Sequence, residues 1–201
     1  PQGRAYLKKS QEVLLDIEHL QQTADFLKRG HEPVIKIALS PLFPLPFLND
    51  AIQSFKKQFP YTEVRFSHNI LSNDEMLLDD EVDLALGEIY NESGQLETKK
   101  IATVEMLTAV STGHPLKKIK SPTSSDLEKY SQIILSSPNP SQRTPGVNNS
   151  QNIIFVEDQL TKMSFIECGL GWGRLPKHLL EPKIKNKTLT ALPVKPITVP
   201  L

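Results

Sequence analysis

A catalyst or metal centre would need histidine, cysteine and carboxylate side chains at converging spacings, and this chain has the residue types without the spacing. His19, His31, His68, His114 and His178 lie far apart, none at ligand distance in sequence from another or from Cys168. The run Asp79-Asp80-Glu81 reads as a solvated turn before a strand, not as an acid/base pair facing a substrate. Gly169, Gly171 and Gly173 invite comparison with a dinucleotide loop. They follow a helical stretch and lead into an apolar one, the reverse of the strand-to-helix order that a phosphate loop needs. Cys168 stands one residue before a helix-stopping glycine on an apolar face, so a buried, inert thiol is expected. Two basic sets, Lys117, Lys118 and Lys120 and then Lys183, Lys185 and Lys187, alternate with apolar positions on expected surface turns. They read as solvated faces, the alternative being a weak contact to DNA or polymerase. No catalytic set, metal site or cofactor is expected.

Binding is the chemistry that remains, and the elements must supply the site. In the 201 residues, 23 basic and 23 acidic side chains cancel, so no strong field draws the chain to nucleic acid or a membrane surface. A hydrophobic content of 38% suffices for one large domain or two small ones. One cysteine excludes an internal disulfide. No stretch has the form of a signal peptide or the length of a membrane span, so a soluble protein in a reducing cytoplasm is expected. The chain opens at Pro1-Gln2-Gly3-Arg4 inside a helical pattern, without a start methionine or a cap, as a piece of a longer protein would.

Residues 4–29 repeat apolar or small side chains at steps of four and three: Tyr6, Ser10, Val13, Ile17, Leu20, Ala24 and Leu27. So narrow a seam suits a partner helix, with Ser10 its weak point; the alternative is an amphipathic helix folded onto its own domain. Gly30 stands where the helix should end. The period then changes. Residues 34–39 form a β-branched run suited to a parallel sheet, and the turn Ser40-Pro41-Leu42-Phe43-Pro44 follows. Leu48, Ala51, Ile52, Phe55 and Phe59 mark one face of a helix closed by Pro60. Residues 63–67 alternate as a strand, Ser72-Asn73-Asp74-Glu75 has capping-box spacing before a short helix, and residues 82–87 supply a third strand. This βαβαβ order is that of a doubly wound sheet.

A second βα series follows the long apolar run 101–111, which can cross between lobes. Residues 123–130 read as a helix with Asp126 three residues after a possible cap, 132–136 as a strand, and 137–150 as a loop crowded with Pro, Gly and Asn. Residues 152–156 form a strand, Asp158 caps a helix over 159–168, and 171–175 return as a strand before Pro176 and a short basic helix.

With residues 34–39, Phe59-Pro60, Val82-Asp83-Leu84-Ala85, His114-Pro115-Leu116 and Gly169-Leu170-Gly171 with Leu175-Pro176 in this order, the chain resembles the effector-binding domain of LysR-type transcriptional regulators. The likeness extends from residue 3 to about residue 200, and Gly3-Arg4-Ala5-Tyr6-Leu7 resembles the start of that family's linker helix. It implies an α/β fold of two Rossmann-like lobes of periplasmic-binding-protein type, joined by two crossover strands and preceded by a long linker helix. Residues 1–30 would be that dimerisation helix, 31–111 with 172–201 the first lobe, and 112–171 the inserted lobe, with crossings at 104–111 and 172–176. It also implies a winged helix-turn-helix upstream, a homodimer or homotetramer, DNA contact only through that upstream domain, and a small-molecule effector between the lobes. Two departures stand out. Trp172-Gly173-Arg174 replaces a small aliphatic pair common among relatives, and the sequence reaches Leu201 short of a strand and helix usual in the family.

In a doubly wound sheet, ligands sit beyond the carboxyl ends of strands. Those ends are Ser40, Pro41 and Leu42; Asn69 and Ser72; Glu88; Ser136 and Ser137; and Glu157 and Asp158. By resemblance, the positions nearest Ser40, Ser72, Ser136 and Glu157 line the effector cleft. Each hydroxyl has an equally simple reading as a turn or cap residue, and Ser72 leans that way. The rivals to a sensor are a free-standing solute-binding receptor, which would need an export signal and no heptad helix, and an enzyme on the same fold, which would need a convergent acid/base set.

Overall fold

A computed structural model describes residues 2–28, 30, 32–68, 70, 73–89, 94–137 and 152–201. The chain divides into two compact units, residues 1–35 with 45–65 and residues 36–44 with 66–201.

The first unit is built on two helices. Helix α1 (Gln2–Lys28) ends before Gly30, whose φ of 78° is the left-handed conformation that glycine adopts without strain. Its seam lies open: Tyr6, Val13, Ile17, Leu20 and Ala24 are exposed, and Ser10 satisfies its hydroxyl by donating to the Tyr6 carbonyl at 3.0 Å. The side chain of Leu27 lies outside the described residues. Among the described side chains of α1, Phe26 differs. It is buried, its ring edge-on to Tyr61 at 5.9 Å, while the Tyr61 hydroxyl donates to Gln22. Helix α2 (Pro46–Gln58) starts with proline in its first turn, where the missing N–H costs nothing, and ends before Phe59-Pro60 as expected. Lys56 donates to the carbonyls of Pro60 and Thr62, which ties the helix end to the chain that leaves it.

Strand order in the first sheet is β2 (Glu63–His68), β1 (Val34–Leu39) and β3 (Leu84–Leu86), with β1 and β3 parallel from Ile37↔Leu84 to Leu39↔Leu86. The third strand is half the length expected. Just before it, Asp83 stays bonded to β1: its N–H donates to the Lys36 carbonyl at 2.9 Å, and its carboxylate accepts from the Lys36 N–H at 2.7 Å. Helix α3 (Asn73–Leu78) lies between β2 and β3 in sequence.

The four-stranded sheet of the second unit is hung on β4 (Thr103–Ser111), which ends in four consecutive buried residues. It pairs antiparallel with β7 (Gly173–Pro176), with β8 (Leu189–Ala191) and with β9 (Ile197–Pro200). Strands β8 and β9 were not legible beforehand, because Pro193, Pro196 and Pro200 break the alternation that marks a strand. Leu201 is buried and exchanges backbone hydrogen bonds with Ile101 and Ala102. A parallel pair, β5 (Gln132–Leu135) and β6 (Ile153–Val156), is followed by α5 (Gln159–Glu167), with the 3₁₀ turn Pro115–Lys118 and α4 (Ser124–Glu128) before it. Both expected caps form: Thr123 and Asp126 make a reciprocal capping box, and Asp158 accepts from the Thr161 N–H at 2.7 Å.

The core joins β4, β5, β7, α5 and α6 (Lys177–Lys185) through Ala109, Ile133, Ile166, Leu175 and Leu180, each almost wholly buried. Trp172 plugs a second cluster with Val110, Leu116 and Leu127, its indole N–H donating to the Leu127 carbonyl at 3.0 Å. Burial on this scale is worth about 1.5–3 kcal/mol for each large apolar side chain.

Two readings need correction, that of Cys168 and that of Lys183 and Lys185. Cys168 is exposed, not buried. Its helix buries Lys162 and Ile166, and a residue two positions past Ile166 is rotated by about 200° to the opposite face. Lys183 and Lys185 lie in α6, not on a turn, with Lys183 in an ion pair with Glu167 at 2.8 Å; Lys187 alone sits in a left-handed turn, at φ 59°. Lys117 and Lys118 close the 3₁₀ turn that His114 caps through its Nδ1.

Candidate functional site

The segment leading into β7 is bonded twice. Trp172 exchanges hydrogen bonds with Ser131 and Ile133 beside β5, and the residues after it pair with β4. Where these strands meet the turn after β1, they leave a cavity of about 170 Å³, contained entirely within the second unit. Its walls are mainly apolar: Ile70, Met106, Ile134, Ile197 and Val199 face it. Pro41 and Leu42 close one side, and Glu88, Gln132, Lys162 and Arg174 bring the polar groups.

The turn side is internally satisfied. Ser40 is 1% exposed; its N–H donates to the Leu86 carbonyl at 2.8 Å, its hydroxyl oxygen accepts from the Leu42 N–H at 3.1 Å, and its carbonyl accepts from the Phe43 N–H at 3.0 Å. Gly87 permits this closeness, since a Cβ there would stand 2.6 Å from the Ser40 Cβ. Ser40 therefore holds the turn from which Pro41 and Leu42 line the cavity.

The opposite side is not. Lys162 projects from α5 and is 6% exposed, and Arg174 comes from β7. A Cβ on Gly173 would sit 3.2 Å from the Lys162 Cε, 2.8 Å from Ile166 and 2.9 Å from the Ile133 carbonyl oxygen, so the lysine stem passes where only glycine leaves room. Burial pushes the Lys162 ammonium down, to about 8, and the Arg174 guanidinium pushes in the same direction. Burial lowers Arg174 as well, and its Nε is buried without a hydrogen-bond partner among the described residues. Among the described residues neither cation sits in a salt bridge.

Of the sequence candidates, Pro41, Leu42 and Glu88 line the cavity, while Ser40 stands directly behind them. Ser136 and Ser137 are half-buried just past β5; the Ser136 N–H donates to the Val156 carbonyl and its hydroxyl to the Ser137 carbonyl. Glu157 and Asp158 are exposed and outside the lining, and the Asp158 carboxyl is held low by hydrogen bonding from the Thr161 side chain and then from the Thr161 N–H. Asn69 and Ser72 lie outside the described residues. Sequence reasoning missed Lys162 and met Arg174 only as a departure. The available signal was the helical spacing of Lys162 with Ile166, four residues on, which puts the lysine on the buried face of α5. Among the described residues no cluster of three His, Cys, Asp or Glu side chains could hold a metal.

Comparison with known proteins settles the family. The model of the LysR substrate binding domain matches residues 28–201, most of the chain. The chain belongs to this family. An uncharacterized HTH-type transcriptional regulator, YeeY of Escherichia coli K12, is 25% identical over 185 residues, 89% of this chain and 60% of the relative, so the chain spans well under two thirds of that protein. Two solved structures show the fold. The regulatory domain of MetR, a LysR family regulator from N. meningitidis, superposes with a TM-score of 0.64 at 17% identity, covering 83% of this chain and 81% of that one. The Synechocystis PCC6803 CcmR regulatory domain in complex with 2-PG gives 0.63 at 16% identity, covering 84% and 85%. The α/β fold of periplasmic-binding-protein type expected from the sequence is the fold of this LysR domain.

Proposed function

We propose that this chain is the effector-sensing and oligomerisation part of a bacterial LysR-type transcription regulator. The observation that carries the reading is the cavity at the junction of the turn after β1 with β4, β5 and β7, apolar-walled and with two cations that have no ion pair among the described residues, in a chain of this family. A small molecule held there bridges segments that meet at the crossing strands, taken as 104–111 and 172–176 between a lobe of residues 31–111 with 172–201 and a lobe of 112–171. An effector that prefers one lobe arrangement shifts the population toward it, and the leading helix passes that preference to an upstream winged helix-turn-helix. Ligand complexes of relatives such as the CcmR regulatory domain support an effector role. The chain acts as a sensor in the cytoplasm without a cofactor, and DNA is reached through the upstream domain alone. No described helix is long and apolar enough to cross a membrane.

Oligomerisation rests on α1. Tyr6 is 77% exposed and Leu20 71%, and so open an apolar seam over a 27-residue helix favours a regulator with a partner helix over a free-standing solute receptor. Replacing Val13 and Ile17 together by Asp should halve the mass measured by light scattering. An unchanged mass would refute the seam. For the cavity, a thermal-shift screen of central metabolites should give a saturable rise in melting temperature, abolished when Ile197→Trp fills the site. A hit that survives Ile197→Trp would place the effector elsewhere.

A further inference from the structure

The polar groups of the cavity are not balanced. Lys162 and Arg174 stand against one lining carboxylate, Glu88, which also borders a second hollow. Among the described residues, the influences on the Lys162 ammonium are burial and then Arg174, with no acidic group opposing them. Two like charges brought into a mostly apolar enclosure are costly unless an anion joins them. Geometry keeps them there, since the Lys162 stem runs through the space left by Gly173 and the Arg174 Nε is buried with a donor to spare. At the other end the lining is hydrocarbon, from Met106, Ile134, Ile197 and Val199. Its volume of about 170 Å³ is close to the roughly 150 Å³ of apolar cavities that take up benzene, so it suits a ring-sized body or a short chain.

We infer that the effector is a small organic monoanion, a carboxylate with an apolar body, bound with its charged group against Lys162 and Arg174 and its body against Ile134, Ile197 and Val199. This rests on the reading of the cavity as the effector site. A planar carboxylate accepts two parallel hydrogen bonds from a guanidinium and one from an ammonium, which a neutral or cationic ligand cannot offer. One carboxylate can meet both cations at once, and the apolar walls reject a fully hydrated inorganic anion.

The test uses the 201-residue chain and matched probes: butanoate, hexanoate, cyclohexanecarboxylate and phenylacetate, each with its amide and its primary amine, and sulfate as a charge without a body. In titration calorimetry at pH 7, at least one carboxylate should bind at least tenfold more tightly than its amide, with no binding by its amine or by sulfate. Lys162→Met and Arg174→Gln should each weaken the carboxylate tenfold or more and leave the amide within twofold. Circular dichroism checks that each variant is folded, and Lys162→Arg, which keeps the charge, should recover part of the affinity. An amide or amine that binds as well as its carboxylate, and is displaced by Ile197→Trp, overturns the anion while leaving the effector site standing. If no probe of any charge binds, both readings fall. Sulfate binding as tightly as the carboxylates would show an inorganic anion site and overturn the apolar body.

Discussion

The two sides of the cavity differ in what holds their polar groups. On the turn side, every polar atom named on Ser40 has a backbone partner within 3.1 Å, and the neighbouring Gly87 exists so that the chains can close up. On the α5–β7 side, a 6% exposed ammonium and a half-buried guanidinium share the space with no ion pair among the described residues. A satisfied group adds stability and has little left to offer a ligand. An unsatisfied buried charge does the opposite, lowering the stability of the empty protein and leaving interaction energy that an anion can release.

The sharpest way to break this contrast is to remove its scaffold. Trp172 is fully buried, donates to the Leu127 carbonyl and carries the backbone from β5 into β7 directly ahead of Gly173 and Arg174. Trp172→Ala should cost about 3–5 kcal/mol in urea unfolding and loosen the basic side first. A loss under 1 kcal/mol would mean that the crossing does not depend on this plug.

Next in size is the charge itself. The Lys162 ammonium falls from its ordinary 10.5 to about 8 in the folded chain, so between these values the unfolded chain binds the proton more tightly. Stability therefore rises as pH increases through that window, and below about pH 8 the full penalty is present. Two to three pH units of displacement correspond to roughly 3 kcal/mol. Lys162→Met should be more stable than the parent at pH 7 by about 2–3 kcal/mol, with the difference vanishing above about pH 10. Denaturation of both proteins at pH 7, 8.5 and 10 checks this, because groups that do not interact with Lys162 cancel in the difference between them. A variant less stable than the parent at pH 7 would show that Lys162 already has its counter-ion.

What was legible in the sequence follows the same division. Strand β1 was read with its observed ends, and the caps Thr123 and Asp158 were read correctly, because a cap and the group it satisfies lie within three residues of each other. Ser40, Glu157 and Asp158 were singled out from strand ends that are readable in the sequence, Ser40 and Glu157 also by the family resemblance. Lys162 and Arg174 were not, since a lysine inside a helix and an arginine in a strand look like solvent-facing residues until the partner strand is known. That strand is β5, separated from β7 by about forty residues of sequence, and no local pattern records that Gly173 faces the Ile133 carbonyl. Strand β9 escaped for a related cause: its pairing with β4 spans nearly a hundred residues, and its prolines hide the alternation.

The smallest effect decides whether the turn side is structural alone. Ser40→Ala removes the acceptor for the Leu42 N–H and should cost about 1 kcal/mol in urea unfolding. Carboxylate affinity should stay within twofold, because the hydroxyl is 1% exposed and its oxygen is already engaged by the turn. Ser40→Thr serves as the counterpart: it keeps the acceptor while adding a methyl beside the tight approach at Gly87, so it should lose stability by overpacking, again with affinity unchanged. A tenfold loss of affinity in Ser40→Ala, with stability preserved, would erase the asymmetry, since it would show the hydroxyl turning from the Leu42 N–H to the ligand.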